Sequence, residues 1–128
     1  MDIVEFRAYC LSLPEVEESL PFDDTTLVFK VGGKMFALID MDEPDHFVVK
    51  CDPERAVDLR ECYDFITAAW HFNKKHWNSI MLDGANDDFM QHEIHHSYML
   101  VVMHNVTPKA LRERILLLNR REHLHVGK

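Results

Sequence analysis

Ile3, Phe6, Cys10 and Leu13 recur at helical spacing and predict a first helix from about Ile3 to Leu13. Asp2 can cap it, with Glu5 in the capping-box position, and Pro14 stops it. The pattern then shortens. Leu27-Val28-Phe29-Lys30-Val31 and Lys34-Met35-Phe36-Ala37-Leu38-Ile39 read as two strands around the hairpin turn Gly32-Gly33, whose glycines tolerate positive φ. Phe47-Val48-Val49-Lys50 reads as a third strand. Asp52-Pro53 is a helix start, followed by Ala56, Leu59 and Tyr63 on an inner face. Two more short strands are expected at Ile66 to Phe72 and Trp77 to Leu82, turning at Asn73-Lys74-Lys75-His76.

A third helix follows from about Asp87 to His104, with Met90, Ile94, Tyr98 and Val101 lining one face. Thr107-Pro108 caps a last helix with Leu111, Ile115 and Leu118 inward. The order α-β-β-β-α-β-β-α-α, with strands joined by hairpins, implies an α+β fold. The expected architecture is an antiparallel sheet of five strands, its first three in a meander, with helices on one face. Phe29, Phe36, Leu38, Leu59, Ile94, Tyr98 and Val101 are the expected core. A single domain over residues 1–118 and a C-terminal tail over 119–128 complete the organisation.

Composition narrows the class. At 128 residues, 47% hydrophobic and 28% charged, the chain is one ordinary globular domain with enough length for a core. No apolar run approaches the roughly 18 residues of a membrane span. Asp2 and Glu5 at the start do not fit a signal peptide. Cys10, Cys51 and Cys62 form no CxxC pair and read as reduced thiols, so a cytoplasmic location is expected. The net charge of −8 is uneven: residues 1–64 hold 16 acids and 6 bases, and residues 65–128 hold 6 acids and 8 bases. Any nucleic-acid surface must therefore lie in the second half.

Four segments together resemble one known family. They are Gly32-Gly33-Lys34-Met35-Phe36-Ala37, Lys50-Cys51-Asp52-Pro53-Glu54, His71-Phe72-Asn73-Lys74-Lys75-His76-Trp77 and Ser97-Tyr98-Met99-Leu100-Val101. In order and spacing they resemble the MmcQ/YjbR-like family of small bacterial proteins, from about Asp2 to Leu118. The resemblance implies an α-β3-α-β2-α fold like that of secretion chaperones, to which the pattern here adds a C-terminal helix. It also implies DNA binding, the label the family often carries, and no family-wide reaction.

His92-Glu93-Ile94-His95-His96 fits HExxH, in which two histidines one helical turn apart hold zinc and the glutamate activates water. The motif needs a third ligand. Val102 stands where the metzincin pattern requires histidine, and nothing marks Glu113 or Glu122 for the role. A solvated helix face is the expectation, with no metal and no cofactor. His71 and His76 could alternatively converge with His92 or His96 on a metal. No nucleophile elbow, P-loop or dinucleotide fingerprint is present.

The hairpin is the stronger site candidate. His71, Asn73, Lys74, Lys75, His76 and Trp77 combine cations, an amide and an aromatic in one turn. Lysines can neutralise phosphates and aromatics can stack on bases. Arg112, Arg114, Arg120 and Arg121 either extend this basic surface or form the solvent face of the last helix. The sequence therefore favours a binding module that takes DNA weakly through residues 71–77. The alternatives are a protein-interaction or chaperone-like adaptor meeting a partner through the sheet or the acidic stretch Glu15 to Asp24, and a small metal-dependent enzyme.

Overall fold

The computed structural model describes residues 1–126, with side chains up to Arg121. In chain order the elements are α1 (Ile3–Ser12), β1 (Val16–Ser19), β2 (Thr26–Val31), β3 (Lys34–Asp40), β4 (His46–Lys50), α2 (Pro53–Cys62), β5 (Ile66–Ala68), β6 (Trp77–Met81), α3 (Asp87–His104) and α4 (Lys109–Val126). The strands form one sheet in the order β1-β2-β3-β4-β6-β5, antiparallel at every pairing. The α+β class and the antiparallel meander of β2, β3 and β4 match the sequence pattern. α4 continues unbroken past Leu118. Of the expected tail, Gly127 and Lys128 lie outside the described residues.

Local chemistry sets the element boundaries. Asp2 and Glu5 close the reciprocal capping box of α1, and Asp52 accepts from the amides of Glu54 and Arg55 at the start of α2. Gly32 and Gly33 turn the β2–β3 hairpin at φ of 57° and 76°. A Cβ on Gly32 would lie 2.8 Å from Val106 Cγ1, so the turn also needs glycine to pass the α3–α4 corner.

Three sequence expectations need correction. The sheet has six strands, because part of the acidic stretch, Val16–Ser19, pairs with β2 as an edge strand. An edge strand needs only a half-buried face and tolerates charge, so Val-Glu-Glu-Ser carries almost no strand signal. The fifth strand ends at Ala68 rather than Phe72. Beyond it, the amide of Ala69 donates to Trp77 O and that of Phe72 to Ala69 O, which folds the chain into a loop. Leu38 is buried, but against the face opposite the helices.

Among the described residues, the four helices cover one face. Phe6, Phe29, Phe36, Phe47, Met90, Ile94, Tyr98, Val101 and Ile115 are fully buried there, and Leu59 packs at the margin. Ser97 stitches α3 to the sheet: it accepts from the Lys50 amide at 2.8 Å and donates to Phe36 O at 2.6 Å. Tyr98 Oη donates to Pro14 O and accepts from Asn119 Nδ2, tying the end of α1 and α4 to α3. The second face carries a row in register across the sheet, Ser19, Val28, Leu38, Val48, Ser79 and Thr67. Its aliphatic centre is covered by Ala69, Phe72, Trp77 and Met35. Among the described residues no helix is long and apolar enough to cross a membrane.

Candidate functional site

The segment between β5 and β6 lies partly on the second face and projects its tip beyond it. Trp77 anchors one end, half-buried, with its ring 5.5 Å from that of Phe72. Strand alternation sends Asn78 and Ile80 to the helix side, where both are buried. Asn73 makes the turn: its side chain accepts from the Lys75 amide, and its carbonyl accepts from the amides of His76 and Trp77. Arg60 of α2 clamps the loop from outside. Its Nη1 donates to Lys74 O at 3.1 Å and to Asn78 Oδ1 at 2.7 Å, and Asn78 Nδ2 in turn donates to Ala56 O. Backbone contacts therefore fix the loop and leave both lysine side chains exposed.

The six candidate residues do not converge on one site. Lys74 and Lys75 border an open cleft of about 690 Å³, shared with Val57, Glu54, Asp58 and Arg60 of α2. The sequence groups His76 with the lysines in one turn. Instead it is half-buried and lines a separate cavity of about 170 Å³ with Lys50, Cys51, Asp52 and His104. The amide of Cys51 donates to its carbonyl at 2.7 Å, which holds His76 on that side. His71 is exposed and turns with Phe72 toward a groove on the second face.

Two contributors carry no sequence motif. Trp70 is 76% exposed, and Lys74 Nζ sits 4.5 Å from the centre of its ring, a cation–π contact at the tip. Continuing β5 to Phe72 conceals Trp70 as an ordinary strand aromatic. Arg60 reads as a surface helix charge until Asn78 is seen beneath it. The arginines of the last helix do not join the tip. Leu111 and Ile115 share a cavity with Glu15, Lys30 and Gly32 at the β1–β2 edge, across the sheet from the β5–β6 hairpin, and Arg114 pairs with Glu15 at 3.3 Å.

HExxH divides between two environments. Glu93 is buried, and Arg55 grips it through two bonds of 2.6 Å. A carboxylate held in both its oxygens by a guanidinium is not placed to activate a water. His92 is exposed as expected, but His96 is half-buried, and its Nε2 is buried with no hydrogen-bond partner among the described residues. Burial and, after it, the Arg55 charge push the His96 pKa below the ordinary histidine value. No group of three or more His, Cys, Asp or Glu able to hold a metal occurs among the described residues. The side chain of Glu122 lies outside them. Burial raises the thiol pKa of both Cys10 and Cys51, which keeps them protonated and unreactive.

A family model described as YjbR matches residues 11–100. The chain is 29% identical over 120 residues to the uncharacterised protein YjbR of Escherichia coli K12, covering 92% of this chain and 100% of that protein. It is 35% identical over 98 residues to the uncharacterised protein YbdF of Escherichia coli O157:H7, covering 75% and 80% of the two chains. A crystal structure of a Deinococcus radiodurans protein with a DUF419 domain superposes with a TM-score of 0.82 at 39% identity, covering 90% of this chain and 88% of that one. A Pseudomonas syringae protein shares the fold at a TM-score of 0.67 and 24% identity, over 78% of this chain and 98% of that one. By the extent of the family match and by these relatives, the chain belongs to the YjbR family.

Proposed function

We propose that this protein is a non-enzymatic binding module whose contact element is the tip of the 70–77 loop, Trp70 with Lys74 and Lys75, and whose ligand is single-stranded nucleic acid, taken weakly. The observation that carries the reading is Trp70, three-quarters exposed at the tip of a pinned loop with an ammonium against its ring. An indole outside the core is free to stack on a base, an interaction of about 1–3 kcal/mol. Lys74 and Lys75 stand beside it to meet the neighbouring phosphates, and Arg60 and Asn73 hold the backbone so that little ordering is needed on contact. Glu54 and Asp58 across the cleft, and a net charge of −8, oppose polyanions and set the affinity low. With two lysines as the contacts on a single strand, raising salt from 50 to 200 mM weakens binding by roughly sevenfold. Buried thiols at Cys10 and Cys51 and an exposed one at Cys62 suit a reducing compartment, and the reading places the protein in the cytoplasm.

The test is tryptophan emission during titration with a single-stranded oligonucleotide of about 10 nucleotides at low salt. The expected result is quenching that Trp70→Ala removes and salt reverses. Emission that stays constant throughout the titration contradicts the reading.

A further inference from the structure

A groove on the second face of the sheet has a chemistry unlike that of the loop tip. It encloses about 370 Å³, within the range of small ligand sites, between the chain entering β2, the β3–β4 connection and the loop at His71 and Phe72. Leu38, Val48 and Phe72 make it apolar, where the loop leaves the aliphatic row of the sheet only partly covered. Phe22 stands at its rim 63% exposed, and Leu20 and Met41 on the neighbouring segments are also exposed. An apolar surface of this kind left open on a small domain marks an interaction site.

The fixed charges of the rim are negative. Asp23, Asp40 and Glu43 line the groove beside the imidazoles of His46 and His71, and among the described residues no lysine or arginine does. Two of the carboxylates are held in place. Asp23 accepts from the amides of Thr25 and Thr26, which keeps its pKa below the usual carboxylate value, and Asp40 accepts from the amide of Asp42. Between Glu15 and Asp45 the chain holds nine acids and only two bases, Lys30 and Lys34. Phosphate is repelled from such a surface, whereas cationic side chains are drawn to it.

We propose that this groove docks a short segment of a partner protein in which lysine or arginine residues are interspersed with large apolar side chains. The apolar groups fill the floor over Leu38, Val48 and Phe72, and the cations meet Asp23, Asp40 and Glu43. The site uses neither Lys74 nor Lys75, so it does not depend on the nucleic-acid reading.

The experiment is an amide chemical-shift titration of the labelled chain with a synthetic peptide of about ten residues built from lysine, leucine and glycine, beside the same peptide with glutamate for lysine. The lysine peptide is expected to shift Thr26, Asp40, His46 and Phe72. Asp40→Asn with Glu43→Gln is expected to weaken it about fivefold, and Phe22→Ser, a change at an exposed side chain, by a similar factor. Lys74→Ala with Lys75→Ala leaves it unchanged. The proposal is overturned if the lysine peptide shifts none of these amides, if the glutamate peptide shifts them equally, or if the groove variants bind as tightly as the parent. It is also overturned if the same shifts follow protein concentration without peptide, which assigns the groove to a second copy.

Discussion

Arg55 holds Glu93 through two parallel 2.6 Å hydrogen bonds, joining α2 to α3 across a carboxylate that is only 2% exposed. The guanidinium is less enclosed, at 31% side-chain exposure, and its pKa is raised first by the hydrogen bonds to Glu93. The pair is therefore asymmetric. Arg55→Met strands a buried charge and is expected to cost about 3–5 kcal/mol in urea unfolding. Glu93→Gln leaves an arginine that can still reach water and is expected to cost about 1–2 kcal/mol. Arg55→Met with Glu93→Leu recovers most of the larger loss, because no unpaired charge remains. Equal costs for the two single variants would contradict this account.

His96 makes stability pH-dependent on the acid side. Its folded pKa is depressed by burial first and by Arg55 next, while Glu93 and Asp52 act in the opposite sense. His95 is depressed as well, by burial and then by His92. The unfolded chain then takes up the proton first. This contribution to stability is complete above the unfolded value of about 6.5 and is lost as the pH falls through it toward the lower folded value. The melting temperature should fall between pH 7.5 and 5.5, and His96→Gln should flatten the fall, leaving the share of His95. A slope unaltered by the substitution would assign it to other groups.

Gly32 and Gly33 both have positive φ but differ in surroundings. Gly32→Ala meets both backbone strain and Val106, and is expected to cost about 2–4 kcal/mol. Gly33→Ala has open space for its Cβ and is expected to cost about 1–2 kcal/mol. Chemical denaturation of the two variants checks the order, and a reversed order would show that the α3–α4 corner gives way easily.

The regular elements were legible because their signals are local. The caps at Asp2 and Asp52, the Gly32-Gly33 turn and the stripe Met90, Ile94, Tyr98, Val101 each depend on a few neighbouring residues. Features that depend on partners distant in sequence were not. Val16–Ser19 is a strand only because β2 lies beside it. Leu38 alternates correctly, but alternation alone does not say that the second face has a cluster of its own. HExxH pointed to the outer histidines, whereas the inner-face positions Glu93 and Ser97 hold α3 to α2 and the sheet. The hairpin was found as a segment. Its residues separated because His76 faces the start of α2, His71 faces the groove, and Lys74, which borders one cleft with Lys75, sits against Trp70 at the tip.

The central claim is that the tip, and not the hairpin as a whole, contacts nucleic acid. Its most direct measurement is fluorescence anisotropy of a labelled single-stranded oligonucleotide at about 50 mM salt, with the parent chain, Lys74→Ala with Lys75→Ala, and His71→Ala compared. Arg60 holds the Lys74 carbonyl rather than its side chain, so the lysine variant should melt within about 0.5 kcal/mol of the parent. The account predicts binding that is lost in the lysine variant and unchanged in His71→Ala. Binding that survives loss of both lysines, or that disappears with His71 alone, would contradict it.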